Sequence, residues 1–327
     1  MATNTAEYHI LQHPTNYIHE TKYTSSSNKS WARQYKPIAK VVTRSYIDRE
    51  GKSHANFEEA FLPLYDDDMV RMQESCVGPN TRLWRFAVEA DCENWFHTEI
   101  SNVVLAAWAR YPAIWQTSHS KPFTETSVSE NVDVAYSVKI GGIRYTIAIG
   151  EIKRNLIDLE DWQSGSISST GTQMRLSKEL RGYAHKYQCP QVFCFDGAAL
   201  LLLQFRASKL ERIEDENCQV DCWVIPRTGS YCTLRYGLYR LLAQGWRRCQ
   251  SETAGQLTVG GLTADSREFY NGRPIWRVDG VKHGKHPAGY ERSVDGATGA
   301  LKWTNEEYPE VMETWPFWGG EAAQSEF

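Results

Sequence analysis

The 327-residue chain has no apolar run approaching the roughly 20 residues that cross a bilayer. Its first 35 residues lack the apolar stretch of a secretion signal. Together these absences predict a soluble, intracellular protein, cytoplasmic or nuclear, with no membrane partner. None of the eight cysteines stands in a C-x-x-C pair, and His283 and His286 make no zinc spacing with Cys232 or Cys249. A structural zinc is therefore excluded, and the cysteines read as small buried hydrophobes of a reducing compartment. Internal repeats are absent as well.

Charge of one sign is missing from two segments. Residues 304–327 carry six glutamates and no Lys or Arg, so without them the formal net charge of −4 would become +2. Residues 222–251 carry no acid but hold Arg227, Arg235, Arg240, Arg247 and Arg248. A net negative chain has no global electrostatic footprint for nucleic acid, so any such contact must be local. The arginine segment reads as an extension of a nucleic-acid surface or as the receiver of the acidic tail.

The chain does carry 41% hydrophobic and 12% aromatic residues, which places most of it in a folded core. Residues 1–35 read as a polar, candidate disordered arm, since Ser25, Ser26, Ser27 and Asn28 break any period. A strand at 39–47, a turn at 48–52 and a short helix near 66–75 lead into the main domain. Over 84–110, Phe86, Cys92, Phe96, Ile100, Val103 and Ala107 recur at helical spacing. Strands at 132–140 and 143–153 flank Gly141-Gly142, the composition of a tight hairpin turn. A Ser/Gly loop at 164–171, a helix at 172–187, strands at 191–196 and 199–206, and a helix at 233–249 follow. Residues 251–327 form a Gly- and aromatic-rich extension ending in the acidic tail.

Chemistry concentrates on the hairpin. Glu151 and Lys153 lie two apart on a strand, so both point to one face with Cα atoms about 6–7 Å apart while Ile152 points away. Position 142 is midway between Asp133 and Glu151, so the hairpin brings Asp133 opposite Glu151. Two carboxylates suit Mg²⁺, with Mn²⁺ as a substitute, and a lysine can orient water or stabilise developing charge. On the long helix, Glu89 lies on the apolar phase and Glu93 about 40° off it; Glu93, nearer the middle, is preferred as a further ligand. The plain alternative is an exposed cross-strand ion pair, because an isolated E-x-K arises readily by chance. A glycosidase using Asp133 and Glu151 would leave Lys153 without a task.

The segments NVDVAYSV (131–138), AIGEIKRNLIDLEDWQSG (148–165), LSKELRGYAHKYQCPQVFCFDGAALLLLQFRA (176–207) and VDCWVIPRTGSYCTLRYGLYRLLAQGWRR (220–248) resemble the PD-(D/E)xK nuclease superfamily, and within it the fungal nuclease-like branch. The resemblance covers roughly residues 84–250, with Val132 where the name motif has Pro. It implies an α/β, restriction-endonuclease-like core at 84–207, a central mixed sheet flanked by helices, inside a domain spanning 36–250. It also implies a divalent metal, a nucleic-acid substrate, DNA ahead of RNA, and Asp133, Glu151 and Lys153 in the catalytic positions. A homodimer is compatible with it. Arg154 and the helix residues Gln173, Arg175, Lys178, Arg181 and Tyr183 are the expected nucleic-acid contacts, as basic side chains position a phosphate backbone. Tyr183 and Tyr187, four apart, could instead pack on the sheet.

Overall fold

The computed structural model describes residues 4–14, 17–19, 22–79, 82–123, 130–167 and 171–318. Part of the predicted loop, 168–170, and the tail glutamates Glu321 and Glu326 lie outside them. A seven-stranded mixed sheet forms the centre: β1 (Lys40–Thr43), β2 (Trp115–Ser120), β3 (Val132–Ile140), β4 (Ile143–Ile152), β5 (Gln191–Phe195), β6 (Ala199–Phe205) and β7 (Gln219–Pro226), in the order β1-β7-β6-β5-β4-β3-β2. The β1/β7 and β4/β5 pairs are parallel and the rest antiparallel. Among the described residues no helix is long and apolar enough to cross a membrane.

Both faces of this sheet are covered, so its inner strands read as nearly unbroken apolar runs rather than alternating ones. In β6, Leu200 and Leu202 face one core while Leu201, Leu203 and Phe205 face the other. The first core is closed by α1, which runs through Glu89–Trp95, a π-helical turn Phe96–Ser101 and Asn102–Ala106, and by α4 (Leu234–Glu252). The second is closed by α2 (Leu159–Ser164) and α3 (Gly171–Lys186). Helix α3 belongs to the crossover between the parallel strands β4 and β5, and crevices at the carboxyl ends of such strands are where ligands bind in open α/β sheets.

Helix α1 is shorter than the periodicity predicts. Trp84–Phe86 is a strand, and Asp91 ends the helix by accepting hydrogen bonds from the amides of Ala87 (2.9 Å) and Val88 (3.0 Å). The described part of the N-terminal arm also departs from expectation, because it is packed. Ser30–Gln34 forms a 3₁₀ turn with Ala32 and Tyr35 buried, and Trp31 and Tyr35 lie over Gly182 of α3, where an added Cβ would sit 2.4 Å from the indole. Apolar anchors spaced among the serines hold a segment whose average composition is polar.

The hairpin of β3 and β4 contains a β-bulge. Pairing runs Ile143↔Ile140 to Thr146↔Ser137, then resumes as Ala148↔Tyr136, Ile149↔Ala135 and Gly150↔Val134, leaving Ile147 as the extra residue. The shift carries Glu151 to the position across from Asp133. Without it Asp133 would face Gly150, and the two acids would not share a face. Helix α4 presses on this bulge. Gly245 leaves no room for a side chain, since a Cβ there would stand 2.0 Å from the carbonyl oxygen of Ile147, and Arg248 donates to the carbonyl of Thr146.

The arginine segment proves to be interior. Arg235 donates to the carbonyls of Glu99 (2.6 Å) and His9 (3.0 Å), Arg240 to Glu58 (2.8 Å), Arg247 to Asp67 and Asp68, and Arg248 to Gln191 (2.9 Å). Its acids lie on other elements, with Glu252 at the end of α4 serving Arg248, so the arginines of α4 offer no basic surface either to nucleic acid or to the tail. The described tail docks by its rings, Phe317 against Tyr111 and Trp246, while Glu313 is held by Arg267 and Arg292 of the C-terminal strands.

Candidate active site

Strand β4 ends at Ile152, which enters the core, leaving Glu151 and Lys153 on the side of α3. Asp133, near the start of β3, bonds to the same strand, its Oδ2 accepting from the amide of Ile152 at 2.7 Å. The three predicted residues are thus brought together. Unlike an exposed ion pair, Glu151 and Lys153 are each only 2% exposed. Lys153 Nζ donates to Glu151 Oε1 and lies 3.4 Å from Oε1 of the fully buried Glu179 on α3.

Burial governs the electrostatics. It pushes Asp133 up to about 6, with Glu89 and Glu93 adding to the rise and the Ile152 amide and Lys153 opposing it. Burial and the neighbouring Asp133 raise Glu151 well above the usual carboxylate range. Burial alone would lower Lys153, but Glu151 and Glu179 outweigh it and hold the ammonium protonated.

Glu89 and Glu93 both face this patch, whereas Glu99, beyond the π turn, is buried and accepts from Trp84 Nε1 (3.2 Å). Glu93 Oε1 stands 3.2 Å from His119 Nε2 and 3.5 Å from His97 Nε2, and His119 Nδ1 stands 3.7 Å from Asp133 Oδ1. His119 is one of the residues the sequence concealed. It sits on β2, an edge strand with almost no apolar alternation, at φ 48°. A non-glycine there is a local distortion of the kind that gathers at functional sites.

The other concealed element is a strap formed by residues 23–27. Ser25 N donates to the carbonyl of Arg154 (2.8 Å) and Arg154 N to Ser25 Oγ (2.9 Å), while the hydroxyls of Ser25 and Ser27 donate to Glu89 and Glu179. Asn155 Nδ2 holds the carbonyl of Tyr23 (2.9 Å), and Arg175 Nε that of Ser27 (3.2 Å). Nothing in the pattern of Thr24-Ser25-Ser26-Ser27 announces this, because the hydroxyls find their partners only in three dimensions.

Four expected nucleic-acid contacts are turned inward. Gln173 bridges Trp162 Nε1 and the carbonyl of Leu156, each at 2.8 Å. Arg181 is buried against the carbonyls of Glu214 and Asp215, and Tyr183 donates to that of Asn131 (3.2 Å). Arg154 is fully buried, its guanidinium over the Phe86 ring. Tyr187 likewise packs, its hydroxyl tying together Ser120, Glu130 and Val132. Arg175 is exposed and Lys178 half-buried, so they alone of this set face outward.

No family model, curated protein or solved structure matches this chain. The site must be read from its own atoms. Among the described residues no group of three or more His, Cys, Asp or Glu is gathered to hold a metal ion. One atom nevertheless fits a hard cation: Glu151 Oε2 is buried and has no hydrogen-bond partner. An orphaned buried carboxylate oxygen beside Asp133 is adequate for Mg²⁺, which keeps several waters and commonly takes only one or two protein carboxylates.

The shift of Asp133 has a measurable consequence. The folded state binds this proton more tightly than the unfolded chain, whose carboxyl has the ordinary value of 3.8. The associated stability is present below 3.8 and is lost as pH rises through about 6. At pH 7 Asp133→Asn should therefore be more stable than wild type by ~1–3 kcal/mol, the amide oxygen still accepting from Ile152. Urea unfolding at pH 4 and 7.5 reads this. Equal pH dependence in the two proteins would show that Asp133 is not strained by ionisation.

Proposed function

We propose that the chain is a divalent-metal-dependent nuclease of restriction-endonuclease-like architecture, hydrolysing phosphodiester bonds of nucleic acid, DNA ahead of RNA. The observation that carries this reading is the Asp133–Glu151–Lys153 constellation, in which Lys153 fixes Glu151 Oε1 while Oε2 is left over. A Mg²⁺ or Mn²⁺ ion held by Asp133 and Glu151, with Glu93 or Glu89 beside them, would supply an acidified water and neutralise charge on the phosphoryl oxygens. Lys153 orients Glu151 and contributes a fixed positive charge to a buried patch, where it acts more strongly than in solvent. Arg175 and Lys178 are the outward cations of α3 available to a phosphate backbone.

A catalytically silent binding module on the same fold is the competing reading, favoured by the strap across the acids. Incubation with plasmid, linear duplex, single-stranded DNA and RNA, with Mg²⁺, Mn²⁺ or chelator, decides between them. Cleavage that needs metal and disappears in Glu151→Gln supports the nuclease. Metal-independent cleavage, or none on any substrate with the strap loosened as described below, refutes it.

A further inference from the structure

Away from these carboxylates, a cleft of about 310 Å³ opens where Pro63 and Tyr65 of the main body meet the C-terminal strands Glu291–Val294 and Leu301–Thr304. Three cations line it: Arg273, Lys285 and Arg292. Arg273 and Lys285 are exposed, and neither has an ion-pair partner among the described residues. Arg292 differs. Its side chain is only 6% exposed, and it gives Nε and Nη2 to Glu313 at 2.9 and 2.7 Å, while Nη1 remains buried without a partner.

That Glu313 cannot be the full answer to Arg292 follows from its other commitments. The same carboxylate accepts from Arg267 and from Trp303 Nε1 (2.8 Å). One acid thus serves two guanidiniums, leaving positive charge uncompensated at the cleft. Glu291 is the one carboxylate on the lining itself. The loop bearing Lys285 is braced, since His286 Nε2 bonds the carbonyl of Val259 (3.0 Å) and its Nδ1 accepts from the amide of Ala288 (3.2 Å). Gly289, at φ 72°, makes the turn that returns the chain to the strand.

A guanidinium whose one carboxylate is shared, two cations without ion-pair partners and a braced loop match a compact oxyanion with several acceptor oxygens. A volume near 300 Å³ accommodates a phosphate with a small organic group. We propose that this cleft is a phosphate-binding site, taking either a free phosphate or nucleotide or a phosphodiester of a nucleic-acid chain. It does not depend on the nuclease reading.

Titration calorimetry on the full chain, in chelator so that the Asp133–Glu151 patch binds no metal, tests it with inorganic phosphate, adenosine 5′-monophosphate and a short single-stranded oligodeoxynucleotide. The expected result is binding that weakens roughly tenfold or more in the Arg273→Ala/Lys285→Ala double variant, with a marked salt dependence. Both positions are exposed, so the fold is spared. Arg277→Ala, which removes an exposed cation paired with Asp265 outside the cleft, should leave binding unchanged. Saturation by phosphate or the nucleotide identifies a small-ligand site, and binding of the oligonucleotide alone identifies a backbone contact. No binding of any probe at millimolar concentration, or equal binding by the double variant, overturns the proposal.

Discussion

Lys153→Met should lose about 3–5 kcal/mol of stability together with any cleavage activity. The position looks replaceable in the sequence, where an E-x-K at a strand end reads as cleft surface, and substitution there would leave the fold intact. The structure reverses that expectation. Lys153 lies between Glu151 and Glu179, all three almost wholly buried, so removing the ammonium strands two carboxylates in a low-dielectric interior. Glu151→Gln should behave in the opposite way. Burial already disfavours the Glu151 charge, so an amide of the same shape keeps the fold, and Lys153 retains Glu179. Chemical denaturation and cleavage assays on the two variants separate the cases. If Lys153→Met is as stable as Glu151→Gln at pH 7, the ammonium is not the charge that holds this cluster together.

Loosening the strap should raise activity. In the Ser25→Ala/Ser27→Ala double variant, two hydrogen bonds onto carboxylates are lost, each worth about 1.5–3 kcal/mol where the acceptor is charged. If the strap must leave before a polymer reaches Asp133 and Glu151, the open fraction rises by roughly a hundredfold or more, up to full opening. The change should appear in KM and kcat together, and proteolysis within 22–35 should accelerate in parallel. Tyr23, Asn155 and Arg175 still contribute backbone contacts, so the strap is weakened rather than removed. Faster proteolysis with unchanged cleavage would show that the strap covers no route to the site. Unchanged proteolysis would show that the hydroxyls do not hold it.

The parts of this molecule legible from residues alone are those decided locally. Gly141-Gly142 and the flanking β-rich runs define the hairpin, both glycines taking positive φ, and the two-residue spacing of Glu151 and Lys153 puts them on one face. What depends on distant partners was hidden. Counting charges along 222–251 suggested a basic surface, but each arginine of α4 meets an acid or carbonyl contributed by residues far away in the chain. Helix α3 looked like a phosphate-binding face for the same reason, although Arg181 spends its charge on two carbonyls. Strand β2 escaped notice because it is an edge strand whose side chains are mostly exposed, and with it went His119. The bulge at Ile147 has no local signature at all, since the bare Gly245 that makes room for it lies almost a hundred residues onward.

That bulge makes the chemistry of the hairpin a matter of parity. With Ile147 as the extra residue the acids agree in phase; if the unchanged chain paired without the bulge, every residue of β4 beyond Thr146 would shift by one against β3. A single-codon deletion at Ile147 would therefore close the bulge and keep Glu151 across from Asp133, whereas a deletion of Val134 or Ala135 with the bulge kept would set Asp133 across from Gly150, while no catalytic letter had been altered. A second deletion, within 148–150 of β4, would restore the alignment. Sequence divergence in this hairpin should therefore tolerate substitutions far better than unpaired changes of length, and helix α4, through Gly245, is where such length is read.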